Sequence, residues 1–106
     1  MDMDLVLSKI ERFVTERDWD KFHSPENLSK SIAIESGELL ECFQWGSEGN
    51  IEQIQDELAD VLIYCFLLAR KCELNIDQIV ISKLKKSEKK YPINKFKGRS
   101  EKYDKI

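Results

Sequence analysis

From Leu58 to Ala69 the sequence reads Leu-Ala-Asp-Val-Leu-Ile-Tyr-Cys-Phe-Leu-Leu-Ala. As a helix, this run has apolar side chains around nearly its whole circumference, so it must be covered on most sides. It is expected to be the central and most buried helix of the fold. Asp60 stands inside the run. A lone carboxylate in such surroundings is costly and must protonate, pair or bind a cation. At about 100° per residue, Glu57, Asp60 and Tyr64 share one side of this helix.

The segment before it repeats the anomaly. In Ile34-Glu35-Ser36-Gly37-Glu38-Leu39-Leu40-Glu41, a helical projection puts Leu28, Ile32, Leu39, Cys42 and Phe43 in one apolar stripe. Glu35 falls in the middle of that stripe, Glu38 at its edge, and Glu41 points away as an ordinary surface acid. Each helix thus offers two acids three residues apart on one face. If the two helices are antiparallel neighbours, four carboxylates converge. No Arg or Lys lies in their apolar parts to neutralise them. A solvated pair of acids would be commonplace on either helix alone; two pairs on the two most apolar helices point to a divalent cation. All-oxygen donors select a hard ion, Mg²⁺ with Mn²⁺ as the alternative. Di-iron carboxylate bundles need histidine on the helices, and the only histidine, His23, lies outside both.

The surrounding punctuation gives an all-α chain. A first helix is expected from about Asp4 to Arg17. Ser24 reads as an N-cap with Pro25 at the first helical position, and this second helix runs to about Gln44, ending at Trp45-Gly46. Asn50 with Gln53 and Asn75 with Gln78 have capping-box spacing, opening a third helix to about Cys72 and a fourth to Tyr91, where Pro92 stops it. Short connections between helices of these lengths suggest an antiparallel four-helix bundle. The whole chain, 1–106, is expected to be a single domain, with 92–106 an irregular basic tail. At 106 residues such a chain has a thin core unless it shares one with a partner.

Charge is unevenly distributed. Residues 1–82 hold 17 acidic and 7 basic side chains, and residues 83–106 hold 3 and 10. An acidic body with a basic end suits either a nucleic-acid arm or a groove for a small polyanion. Lys83, Lys86 and Lys90 share a helical face, and Arg99 follows; most such lysines are simply solvated, but one or two would suffice to hold a small polyanion. Trp19, Phe22, His23 and Trp45 flank the two ends of the second helix. They read either as core edge or as a stacking slot for a base. Cys42, Cys65 and Cys72 lack metal-type spacing and read as reduced, buried thiols. No apolar run reaches the roughly 18 residues a membrane span needs, the N-terminus is acidic, and the expected location is cytoplasmic.

Taken together, these residues resemble the MazG-like, all-α nucleotide pyrophosphohydrolases, and within them the dCTP pyrophosphatase branch. The family pattern Glu-x-x-Glu, spacer, Glu-x-x-Asp is met by Glu35 and Glu38, 18 residues, then Glu57 and Asp60. Around it stand Glu16-Arg17-Asp18-Trp19 with Phe22-His23, Gly37-Glu38-Leu39, Phe43-Gln44-Trp45, Asp60-Val61-Leu62-Ile63-Tyr64 and Lys90-Tyr91-Pro92. The likeness covers about residues 4 to 103. One departure is Ile34, where many MazG-like sequences carry a further acid.

The resemblance implies a MazG-like helical protomer that forms a homodimer or homotetramer, with sites near subunit contacts. It implies Mg²⁺ held by Glu35, Glu38, Glu57 and Asp60, and a base enclosed by Trp19, His23 and Trp45. Tyr64, Lys83, Lys90, Tyr91 and Arg99 complete the expected substrate contacts. The expected reaction is hydrolysis of a (deoxy)nucleoside triphosphate, dCTP or a modified dCTP, to monophosphate and pyrophosphate, with Glu38 as the general base. A dUTP pyrophosphatase, a broad house-cleaning enzyme, and a degenerate member that binds nucleotides without cleaving them are the rivals within the family. A non-catalytic helical module binding nucleic acid or protein through the basic tail is the rival outside it. The buried acids argue against that module, so no stable nucleic-acid partner and no membrane are expected.

Overall fold

The structure, a computed structural model, describes residues 2–105, and among these every regular element is helical. The chain divides between Glu73 and Leu74 into two compact units. The first holds α1 (Met3–Glu16), α2 (Pro25–Glu41) and α3 (Ile51–Lys71), with a 3₁₀ turn at Asp20–Phe22 between α1 and α2. The second holds α4 (Ile76–Lys90), a short α5 (Ile93–Phe96) and a 3₁₀ turn at Tyr103–Lys105.

Each long helix starts where a short polar side chain can take the place of a missing carbonyl. Asp2 accepts from the Leu5 N–H at 3.0 Å, and Ser24 from the Asn27 N–H at 3.1 Å with Pro25 just inside. Asn50 accepts from both Glu52 and Gln53, at 3.0 and 3.2 Å. Asn75 accepts from Gln78 at 3.1 Å. The starts of α2, α3 and α4 therefore fall where the capping residues predict them.

The helix ends differ more. α2 stops at Glu41, three residues short of the expected Gln44. From Cys42 to Gln44 each N–H turns to the carbonyl three residues back, to Leu39, Leu40 and Glu41 at 3.2, 3.0 and 3.1 Å. The final turn has tightened from α to 3₁₀ geometry, as helix ends do to satisfy their last carbonyls. In the second unit, 92–105 is more ordered than an irregular tail. The Pro92 carbonyl accepts from Lys95 and Phe96 at 3.0 and 3.1 Å. Tyr91 then packs edge-on against Phe96 and Tyr103, with centroids 4.8 and 5.9 Å away. Three aromatic rings spaced along the tail supply the local cluster that its lysine-rich composition hides.

In the first unit, α2 and α3 pack along their length as an antiparallel hairpin, and α1 lies against α3. The buried core is small: Ile10 and Val14 of α1, Leu28 of α2, and Phe66, Leu67 and Ala69 of α3. All six lie toward one end of the hairpin, where the three helices meet. The other half of α3 is not enclosed as its apolar sequence predicts. Ile51, Leu58 and Leu62, which fall within about 40° of one another on the helix, are 67%, 44% and 48% exposed. α1 and α2 cover only one side of α3, so this stripe, turned away from the acids, stays bare in a single chain.

One glycine pins the α2–α3 connection. Gly49 has φ +66°, and a Cβ there would sit 3.0 to 3.2 Å from the Ile54 and Phe43 side chains and the Cys42 carbonyl. Gly49→Ala is expected to destabilise the protein by roughly 1–3 kcal/mol, read as a lower urea midpoint at unchanged m-value. Gly37→Ala, whose Cβ meets nothing within 4 Å in mid-helix, should leave the midpoint unchanged or raise it.

Candidate metal and nucleotide site

The α2–α3 hairpin sets Glu35 and Glu38 opposite Glu57 and Asp60. Each offers one carboxylate oxygen, and these four oxygens lie within 4.8 Å of one another. Glu35, Glu57 and Asp60 are half-buried while Glu38 is exposed. One oxygen of Glu35 and one of Glu57 (Oε2 in each) are shut off from solvent without a hydrogen-bond partner. Buried polar atoms are nearly always satisfied, so two orphans in one cluster call for a ligand. The ion pairs of the described residues leave these four acids aside.

Like charges this close oppose one another's ionisation. Glu35 is pushed up to about 7, first by hydrogen bonding with Glu38, then by loss of solvation, then by the charges of Glu38, Asp60 and Glu57. Glu57 is also raised, again first by Glu38, then by burial and the neighbouring charges of Glu38, Asp60 and Asp56. A divalent cation would remove this repulsion and give the orphaned oxygens a partner. Four oxygen donors without sulfur or nitrogen fit Mg²⁺ or Mn²⁺.

The aromatic residues do not all gather around this cluster. Trp19 leaves α1 through Asp18, which adopts φ +56°, and its ring meets Phe13 edge-on at 5.6 Å. His23 follows the 3₁₀ turn, half-buried, with Nδ1 unpartnered. This segment is tied to the last turn of α3, because Asp20 accepts from Arg70 and Lys71 at 3.3 and 3.1 Å. Trp45 is 91% exposed and lines a cavity of about 580 Å³ with Glu41, Cys42, Asn50 and Gln53 near the start of α3. From Gln53 to Arg70 α3 rises about 25 Å. Within one chain Trp19 and Trp45 therefore lie near opposite ends of α3. Trp19 and Trp45 flank opposite ends of α2, and the two ends of one helix are the full helix length apart in space. Tyr64 lies one turn beyond Asp60 on α3, half-buried.

In the second unit Lys90 and Arg99 line one cavity of about 490 Å³, with Lys89, Lys95, Phe96 and Tyr103. Lys90 Nζ lies 5.0 Å from the Tyr103 ring centroid, and Tyr91 is the ring on which Phe96 and Tyr103 pack. Lys83 is exposed and is not among the residues lining this cavity. Sequence reasoning passed over Arg70, Lys71 and Asp20. Two cations closing an apolar helix and an acid among aromatics were the available signals, but nothing in the sequence pairs residues 50 positions apart.

The charge cluster has a thermodynamic consequence. Because the fold raises Glu35 from 4.5 to about 7, its contribution to stability is complete below pH 4.5 and is lost as pH rises through 7. Thermal unfolding of EDTA-treated protein should therefore move to lower temperature between pH 5 and pH 8. Mg²⁺ should restore stability at pH 8 far more than at pH 5, and Glu35→Gln should flatten the pH dependence.

Among the described residues no helix is long and apolar enough to cross a membrane. The pattern of the MazG-like family matches residues 30–106. The chain is 40% identical to dCTP pyrophosphatase 1 of Mus musculus, over 86% of this chain and 59% of that protein. It is 36% identical to dCTP pyrophosphatase 1 of Homo sapiens, over 89% and 61%. It thus spans about three-fifths of the length of these relatives. A crystal structure of a pyrophosphatase from Archaeoglobus fulgidus superposes with a TM-score of 0.79 at 39% identity, covering 87% of this chain and 94% of that one. With acids placed as the sequence pattern requires, on a fold shared at this level of identity, the chain belongs to the MazG-like family.

Proposed function

We propose that this protein is a divalent-metal-dependent nucleotide pyrophosphohydrolase that converts a deoxynucleoside triphosphate, dCTP or a modified dCTP, to the monophosphate and pyrophosphate. The observation that carries this reading is the convergence of four carboxylate oxygens within 4.8 Å, two of the side chains holding an orphaned buried oxygen. The dCTP pyrophosphatase activity for which the mouse and human relatives are named supports the substrate class.

Glu35, Glu38, Glu57 and Asp60 hold the cation, Mg²⁺ or Mn²⁺. When bound there, it supplies neutralisation of triphosphate charge and a lowered pKa for an adjoining water. Glu38 is the exposed member of the four, so it can take the proton as water attacks the α-phosphorus and pyrophosphate departs. The half-buried Glu35, Glu57 and Asp60 are fixed by the hairpin and hold the geometry. Lys83, Lys90, Tyr91 and Arg99 serve the triphosphate, and Trp19, His23, Trp45 and Tyr64 serve the nucleoside.

The about 25 Å of α3 between Trp45's cavity and the Trp19 segment supports a base slot completed at a subunit contact, in a homodimer or homotetramer. The bare stripe of Ile51, Leu58 and Leu62 supplies apolar surface for such a contact. Light scattering should give a mass of two or four chains, and Leu58→Asp with Leu62→Asp should lower it. A monomeric mass for the unaltered protein would reject the assembly.

The activity is tested by pyrophosphate release from each common dNTP and NTP, with Mg²⁺ and with EDTA. Release is expected with Mg²⁺ only and fastest from dCTP or a close relative. Glu57→Gln and Asp60→Asn should each lower kcat by 100-fold or more while helical circular dichroism is retained. Turnover that survives both substitutions would reject the site, and silence across the panel from folded protein would reject the substrate class.

A further inference from the structure

The segment that carries Trp19 and His23 has few of the anchors that usually fix a loop. Trp19 and Phe22 are 44% and 58% exposed, and Asp18 holds the left-handed conformation that only a sharp redirection of the chain requires. Its backbone is tied to α1 by the Trp19 N–H on the Val14 carbonyl at 3.1 Å. It is tied to α2 by the Asn27 amide on the Phe22 carbonyl at 3.0 Å. Neither contact reaches α3, the helix that carries Glu57 and Asp60.

The tie to α3 is electrostatic. Asp20 lies between Trp19 and His23, and its Oδ1 accepts from Arg70 Nη1 at 3.3 Å and Lys71 Nζ at 3.1 Å. Arg70 also pairs through Nε with Glu11 of α1 at 2.8 Å. The two cations close the last turn of α3, where the helix dipole favours positive charge. Their pull holds Asp20 below the usual carboxylate range, hydrogen bonding from Lys71 being the largest cause. These side chains are about one-third to one-half exposed, and exposed ion pairs contribute little to global stability. What four linked charges on three segments do supply is geometry.

We propose that Asp20, clamped by Arg70 and Lys71, is a positioning residue that sets where the Trp19–His23 turn holds the base relative to the acids of α3, and so tunes nucleotide discrimination. The inference rests on the reading of Trp19 and His23 as base contacts given above. α3 acts as the ruler: about 15 Å of helix separates Asp60 from Arg70, and the clamp fixes the aromatic turn at the far end of that length. Loosening it should weaken base binding and leave the reaction at phosphorus intact, which is the signature of lost uniform binding.

The test compares Asp20→Asn, Asp20→Glu and Lys71→Gln with the unaltered protein, measuring kcat and KM for dCTP and for dTTP. Asp20→Asn and Lys71→Gln should raise the KM for dCTP about tenfold with kcat within about twofold, shrinking the preference between the two nucleotides. Asp20→Glu should restore both. Because the pairs are partly exposed, the preference of the unaltered protein should also shrink as NaCl rises. A second readout needs no turnover. In a Trp45→Phe background Trp19 is the sole tryptophan of two. Asp20→Asn should then shift its emission to the red and increase acrylamide quenching at unchanged helix content. Unaltered emission together with an unchanged KM, or a fall in kcat at constant KM, would overturn the clamp. Absence of both cleavage and any Trp19 response to dCMP in the protein carrying Asp20 would instead sink the nucleotide reading on which it rests.

Discussion

Four carboxylates brought within 4.8 Å by two helices are a standing electrostatic conflict. At such separations unit charges repel strongly even with generous screening, and the raised Glu35 and Glu57 record it. A fold selected for stability alone would place a lysine, an arginine or an apolar residue there. The hairpin instead holds three of the acids half-buried and the fourth, Glu38, exposed, on the two helices that pack most closely. Everything else in the first unit serves that hairpin: the caps at Ser24 and Asn50, the left-handed Gly49 in the connection, and the core at the opposite end.

This division of labour explains why so small a chain can carry a site. The hydrophobic core lies where α1, α2 and α3 meet, around Leu28, Phe66 and Leu67. The acids lie farther along the same hairpin, toward its connection. The core and the acid cluster therefore occupy different turns of α2 and α3, with helical rigidity transmitting position from one to the other. The same rigidity sets the distance between the acids and the aromatic turn held at Arg70 and Lys71.

The acid cluster was legible in the sequence because helical periodicity alone puts Glu35 in an apolar stripe and Asp60 in an apolar run. Helix starts were legible because Ser24, Asn50 and Asn75 act locally. The end of α2 was not: whether a final turn stays α or tightens to 3₁₀ depends on the carbonyls of Leu39 to Glu41, which side-chain patterning does not encode. Nor was the bare stripe at Ile51, Leu58 and Leu62, since a sequence records that a surface is apolar and not what covers it. The Asp20–Arg70 contact joins residues 50 positions apart and belongs to tertiary structure alone. The separation of Trp19 from Trp45 is of the same kind, visible only once the hairpin gives each helix end its place.

The central claim is that the four carboxylates exist to hold a divalent cation. The most direct measurement is anomalous diffraction from crystals grown with Mn²⁺. The account predicts a manganese peak ringed by oxygens of Glu35, Glu38, Glu57 and Asp60, lost on Glu57→Gln. Manganese bound elsewhere, with these four side chains turned apart or neutralised by a lysine or arginine, would contradict it.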